Sequence, residues 1–229
     1  MTGSDSNRTM DAVSGPHTGQ PLLAAGAPAL AAEAAVIACH GRGATAQGIV
    51  NLLEPTYRHG VAFLAPQAER SRWYPNPAAA PRADNEPWLS SSVEAVAAAL
   101  ADAADIGIPP ERTLIGGFSQ GATVAAEFVR RTSAQYGGVF LLSGTLPGSS
   151  DELRSASVDG SLAGTPVLVG YGADDHHVDR ERVAETIRVL ERADAAVDER
   201  RYPDAGHAVT DDEFDAIGAL LEAVLADAT

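Results

Sequence analysis

From residue 20 onward, short apolar runs bounded by turn residues alternate with longer stretches whose apolar residues recur at helical spacing. The runs cover 21–25, 34–39, 61–66, 113–118, 138–143, 166–171 and 197–202, and the helical stretches cover 91–104, 120–131, 180–193 and 211–226. Alternation of this kind predicts an α/β fold: a mostly parallel sheet flanked by helices on both faces, with its chemistry at the carboxyl ends of the strands. Ser91 and Glu94 have the spacing of a capping box ahead of Val93, Val96 and Leu100, and Gly107 supplies a stop.

A chain of 229 residues suits one domain with one sizeable core. Residues 1–19 are polar, rich in Gly and Ser and without period, so the expectation is a flexible tail over 1–19 and a folded domain over 20–229. With 31 acidic against 16 basic residues the net charge is -15, a field that repels phosphate backbones and speaks against a nucleic-acid partner. All the basic residues are arginine and none is lysine. A GC-rich genome explains the arginine but less readily the charge. Packed surface carboxylates stop repelling in multimolar salt, where the Debye length falls to about 3 Å, so the composition resembles that of proteins from salt-loving archaea. One cysteine, Cys39, rules out an intrachain disulfide, and it sits in an apolar run as a small core residue. No segment reads as a secretory leader or a membrane span, so a cytoplasmic setting without membrane insertion is expected.

The pentapeptide Gly117-Phe118-Ser119-Gln120-Gly121 sits between a strand pattern and a helical pattern. A serine on such a turn is forced into a strained backbone conformation, flanked by glycines that allow strand and helix to approach closely. The following helix aims free N–H groups and its positive dipole end at the same place. A tetrahedral intermediate needs two backbone donors. Gln120, directly after the serine, offers one, and Arg42 in His40-Gly41-Arg42-Gly43, after the run 34–39, offers the other. His40 beside that loop reads as structural. Activating Ser119 takes an imidazole, and orienting the imidazole takes a carboxylate, in the order serine, acid, histidine. His207, on the loop after the last run, is the base; Asp174 and Asp175, after the run 166–171, are both placed to be the acid.

The motifs HGRG, GFSQG, YGADDHHV and AGH, with Trp73-Tyr74-Pro75 and 85–89, resemble the phospholipase/carboxylesterase family of α/β-hydrolases, relatives of acyl-protein thioesterases. Matching Gly172 and Val178 to the family pattern implies Asp175 as the acid, although His176 stands where the family has proline. The resemblance implies an α/β-hydrolase fold without a large cap and a cofactor-independent serine hydrolase. Its substrate is a small-molecule ester cleaved through an acyl-enzyme on Ser119. An acyl-thioesterase or lysophospholipase is the alternative, and a catalytically silent binding module is the non-enzyme one. No metal site is expected from the charge-rich loop 174–179, whose neighbouring side chains point apart. Trp73, Tyr74 and Trp88, on loops after strand ends, are candidate walls of the substrate pocket. Arg70 and Arg72 are expected to make local ion pairs. The segment 145–164 has no sustained apolar face, which favours an open site. A homodimer is compatible with the sequence.

Overall fold

The computed structural model describes residues 8–227. Among them, eight strands form one sheet: β1 (Arg8–Thr9), β2 (Pro21–Gly26), β3 (Ala34–Cys39), β4 (Val61–Pro66), β5 (Thr113–Phe118), β6 (Gly138–Leu142), β7 (Pro166–Gly172) and β8 (Ala196–Tyr202). Their order is β1-β2-β4-β3-β5-β6-β7-β8. β1 and β2 run antiparallel at one edge, and the strands from β4 to β8 are parallel. The helices are α1 (Ala46–Leu52), α2 (Trp88–Asp105), α3 (Gln120–Arg131), α4 (Ser150–Arg154), α5 (Arg180–Arg192) and α6 (Asp211–Ala226).

The central strands are covered on both faces, which is why they read as unbroken apolar runs. In β3, Ala35, Ile37 and Cys39 join the core under α2, α3 and α5, while Ala34, Val36 and Ala38 join the core under α1 and α6. That is the two-residue side-chain period of a strand. Each fully buried Ile, Leu or Val contributes about 1.5–3 kcal/mol of transfer free energy. The edge strand β8 instead carries Asp198, Glu199, Arg200 and Arg201, charges that discourage pairing with another sheet.

Two expectations are corrected here. The predicted tail is packed over 8–19, whereas residues 1–7 lie outside the described residues. Met10, Val13 and His17 are buried. The His17 ring accepts from the Glu69 N–H at Nδ1 (3.1 Å) and bonds the Trp73 carbonyl and the Ser92 hydroxyl at Nε2 (3.0 Å each), so one imidazole ties three separate groups together. The polar character that suggests disorder serves here to make contacts. The second correction follows from the first: Ser91 and Glu94 form no capping box. α2 begins three residues earlier, at Trp88, and the Glu86 carboxylate accepts from the Ser90 N–H at its N-terminus. Ser91 and Glu94 bind the N-terminal segment instead, the hydroxyl donating to the Ser14 carbonyl (2.5 Å) and the carboxylate accepting from the Ser14 N–H (2.6 Å). Gly107 ends α2 as expected, at φ +88.

Candidate active site

Ser119 lies between β5 and α3 with φ 56 and ψ -119, a backbone region that L residues rarely adopt. The flanking glycines make this turn feasible. A Cβ on Gly117 would lie 2.4 Å from the Cys39 carbonyl oxygen, and one on Gly121 would lie 2.0 Å from the same atom. Strand, turn and helix therefore press directly on the end of β3. The loop after β3 abuts the serine, since a Cβ on Gly41 would lie 3.7 Å from Ser119 Cβ.

The other two groups arrive from β7 and β8, whose following loops are tied together. The Asp174 N–H donates to the Ala205 carbonyl (3.1 Å), and Gly172 is held so close to Ala205 that a Cβ there would sit 2.2 Å from its oxygen. This brings His207 Nδ1 to 2.7 Å from Asp175 Oδ2 and His207 Nε2 to 2.9 Å from Ser119 Oγ. Asp175 is buried and Asp174 is exposed and makes no such bond, so the geometry separates the two carboxylates that the residues alone left open. Burial pushes the Asp175 carboxyl up, but the bond from His207 and the N–H of His177 (2.8 Å to Oδ1) outweigh it and hold the group below the usual carboxylate range. The His207 ring lies between Phe118 and His177, each with its centroid 4.8 Å away.

Arg42 and Gln120 both border the cleft, and their side chains stitch one loop to the site. Arg42 Nη2 donates to the carbonyls of Tyr74 (2.7 Å) and Pro75 (3.1 Å). Gln120 Oε1 accepts from the Trp73 N–H (2.9 Å), and Nε2 donates to the Tyr74 carbonyl (2.8 Å). His40 is buried, as its structural reading requires: Nδ1 bonds the Gly41 carbonyl (2.8 Å) and Nε2 accepts from the Ala68 N–H (3.1 Å). Burial drives the Cys39 thiol up to about 12, consistent with an inert core residue.

The cleft above Ser119 has a volume of about 770 Å³. Of the three aromatics expected to wall it, only Tyr74 does. Trp73 is fully buried beneath the loop, its indole N–H donating to the His40 carbonyl (2.7 Å), and Trp88 packs against His17 and under the Arg72 guanidinium. The structure corrects both, because the N-terminal segment gives the two indoles an interior to pack into. Arg70 makes the expected local ion pair, with Glu69 (3.3 Å), whereas, among the described residues, Arg72 stacks over the Trp88 ring instead of pairing with a carboxylate. Thr123, Ser143, Asn76 and Arg182 border the cleft without having been singled out in the sequence. Segment 145–164 forms no cap: it carries the short α4 and buries Leu146, Leu153 and Leu162. Among the described residues, no three His, Cys, Asp or Glu side chains converge as a metal site, and no helix is long and apolar enough to cross a membrane.

An eight-stranded, mostly parallel sheet with a serine on the strained turn after a central strand defines the α/β-hydrolase fold. The phospholipase/carboxylesterase family model matches residues 24–225, and the chain belongs to that family. A phospholipase/carboxylesterase from Dyadobacter fermentans, known as a crystal structure, is 33% identical, with a TM-score of 0.82 over 89% of this chain and 96% of its own. The carboxylesterase of Bacillus cereus shares the fold at a TM-score of 0.71 and 19% identity, over 90% of this chain and 94% of its own. Acyl-protein thioesterase 1 of Gibberella zeae is 31% identical over 117 residues, 51% of this chain. That match spans half the length of the relative.

Proposed function

We propose that this chain is a serine hydrolase that cleaves carboxylic esters through an acyl-enzyme on Ser119. The observation that carries the reading is the unbroken line from Asp175 through His207 to Ser119 Oγ, at 2.7 and 2.9 Å, ending on a strained serine in an open cleft. Asp175 stays ionised, accepts a hydrogen bond from His207 Nδ1–H and so fixes the tautomer whose Nε2 is free to take the Ser119 proton. Ser119 Oγ attacks the ester carbonyl, the N–H groups of Arg42 and Gln120 bind the oxyanion, and His207 returns the proton to the leaving alcohol. Water, deprotonated by the same imidazole, then frees the acid. No cofactor enters these steps. Ser119→Ala should abolish hydrolysis of p-nitrophenyl butyrate while leaving the circular dichroism spectrum unchanged, and retention of the rate would exclude this nucleophile.

An acyl-thioesterase reading is favoured by the name of the Gibberella zeae relative, since the same acyl-enzyme serves a thiol leaving group. Matched oxygen and thiol esters of one acyl chain separate the two. The acidic, lysine-free composition supports a salt-loving source, and the single cysteine, free and buried, fits a reducing cytoplasmic setting. Unfolding in low and in multimolar KCl tests the first, and equal stability in both would defeat it.

A further inference from the structure

Beside Ser119 the cleft is bordered by a cation that, among the described residues, no carboxylate touches. Arg182, in the first turn of α5, is 9% exposed and borders the same cleft as Ser119 and His207. Its Nη2 donates to the carbonyls of Leu146 (2.9 Å) and Ala78 (3.3 Å), while its Nη1 is buried without a hydrogen-bond partner. Among the described residues no carboxylate oxygen lies within 4.0 Å of the guanidinium. Asp179 acts favourably on its charge from beyond contact distance and Arg82 unfavourably, while the Asp179 carboxylate accepts the Glu181 N–H at 2.8 Å. By contrast, buried Glu127 takes Arg130 and Arg131 directly, at 2.7 Å each.

A guanidinium that borders a cleft with no carboxylate in contact is matched in charge and planar geometry by a ligand carboxylate. Thr123, one turn along α3 from Ser119, meets the Tyr74 hydroxyl, and both residues border the same cleft as Arg182.

We propose that Arg182 is a specificity-determining residue that recognises an ionised carboxylate carried by the ester substrate. The preferred substrates are then half-esters of dicarboxylic acids or esters of carboxylate-bearing alcohols, rather than neutral esters of like length. This rests on the ester-hydrolase reading above.

The test compares kcat/KM at fixed ionic strength for two matched pairs. Monoethyl adipate against ethyl heptanoate places the charge in the acyl part, and 4-acetoxybenzoate against 4-methylphenyl acetate places it in the leaving group. In at least one pair the charged ester should be preferred, and Arg182→Met should lower the charged-to-neutral ratio by about tenfold to a hundredfold. Arg182→Lys should retain part of the preference. Equal ratios in the wild type and Arg182→Met for both pairs overturn the proposal, as does a preference for the neutral ester in both. Without any variant, adipate must compete with 4-methylphenyl acetate at lower concentration than hexanamide does, and failure to do so also overturns it. Turnover of the neutral esters with no discrimination by charge removes the Arg182 assignment alone. Absence of turnover with all four esters removes the hydrolase reading, and this one with it.

Discussion

Replacing Gly121 by alanine tests how tightly the nucleophile turn is braced against β3. Helix propensity alone favours alanine at this second position of α3 by about 1 kcal/mol. Packing opposes it. The added methyl would sit 2.0 Å from the Cys39 oxygen, 2.4 Å from the Cys39 carbonyl carbon and 2.7 Å from the His40 oxygen. All three are backbone atoms at the end of a buried strand, so no side chain can swing away to make room. The two elements must part by about 1.4 Å, the gap between 2.0 Å and the 3.4 Å at which ordinary contact begins. Overpacking of a core costs about 1–3 kcal/mol, which exceeds the propensity gain. The parting also separates Gln120 from Arg42, the two proposed oxyanion donors, and a misplacement of about 1 Å costs about 10²-fold in rate. Urea unfolding followed by tryptophan fluorescence should show a lowered midpoint, and p-nitrophenyl acetate kinetics should show kcat down by about two orders of magnitude. A Gly121→Ala protein as stable and as fast as the parent would refute the reasoning.

Asp175→Asn removes the acceptor that selects the His207 tautomer, and kcat should drop by about 10⁴ in steady-state assays; a loss smaller than about tenfold would contradict the role given to the carboxylate. Burial lowers the ionisation range of both His17 and His40, and each ring accepts a backbone N–H that only the neutral imidazole can receive. Below about pH 6.5 the unfolded chain therefore binds more protons than the folded one, so the stability these rings confer is complete above that pH and is lost as pH falls through their lowered values. Urea midpoints measured from about pH 8 to about pH 5 should decline with acidification, and less steeply in His17→Gln, whereas identical slopes would count against a neutral buried ring at position 17.

The elements legible in the sequence are those whose signal is local. β3, β4 and β5 are continuous apolar runs because both faces are covered, and α3 and α6 carry a helical period bounded by clear turn residues. Ser119 and His207 were legible because each stands in a distinctive setting, a glycine-flanked turn and the loop after the last strand. α1 escaped notice because it is only 7 residues long and contains Gly48, so its start depends on the Thr45 hydroxyl accepting the Gly48 N–H. The N-terminal segment escaped because its anchor is one histidine whose partners lie more than fifty residues away. Trp73 and Trp88 then look like pocket walls only while that segment is taken for a free tail. Arg182 reads in sequence as one more charge on a polar helix, and its burial arises from contacts with Leu146 and Ala78 that no periodicity signals.

The central claim is that the His207 imidazole, held by Asp175, makes Ser119 a nucleophile, and covalent labelling by a fluorophosphonate with peptide mapping by mass spectrometry addresses it most directly. The account predicts a single phosphonylated site at Ser119 in the unaltered protein and near-complete loss of labelling in His207→Ala. An unlabelled Ser119, or labelling just as fast without His207, would contradict it.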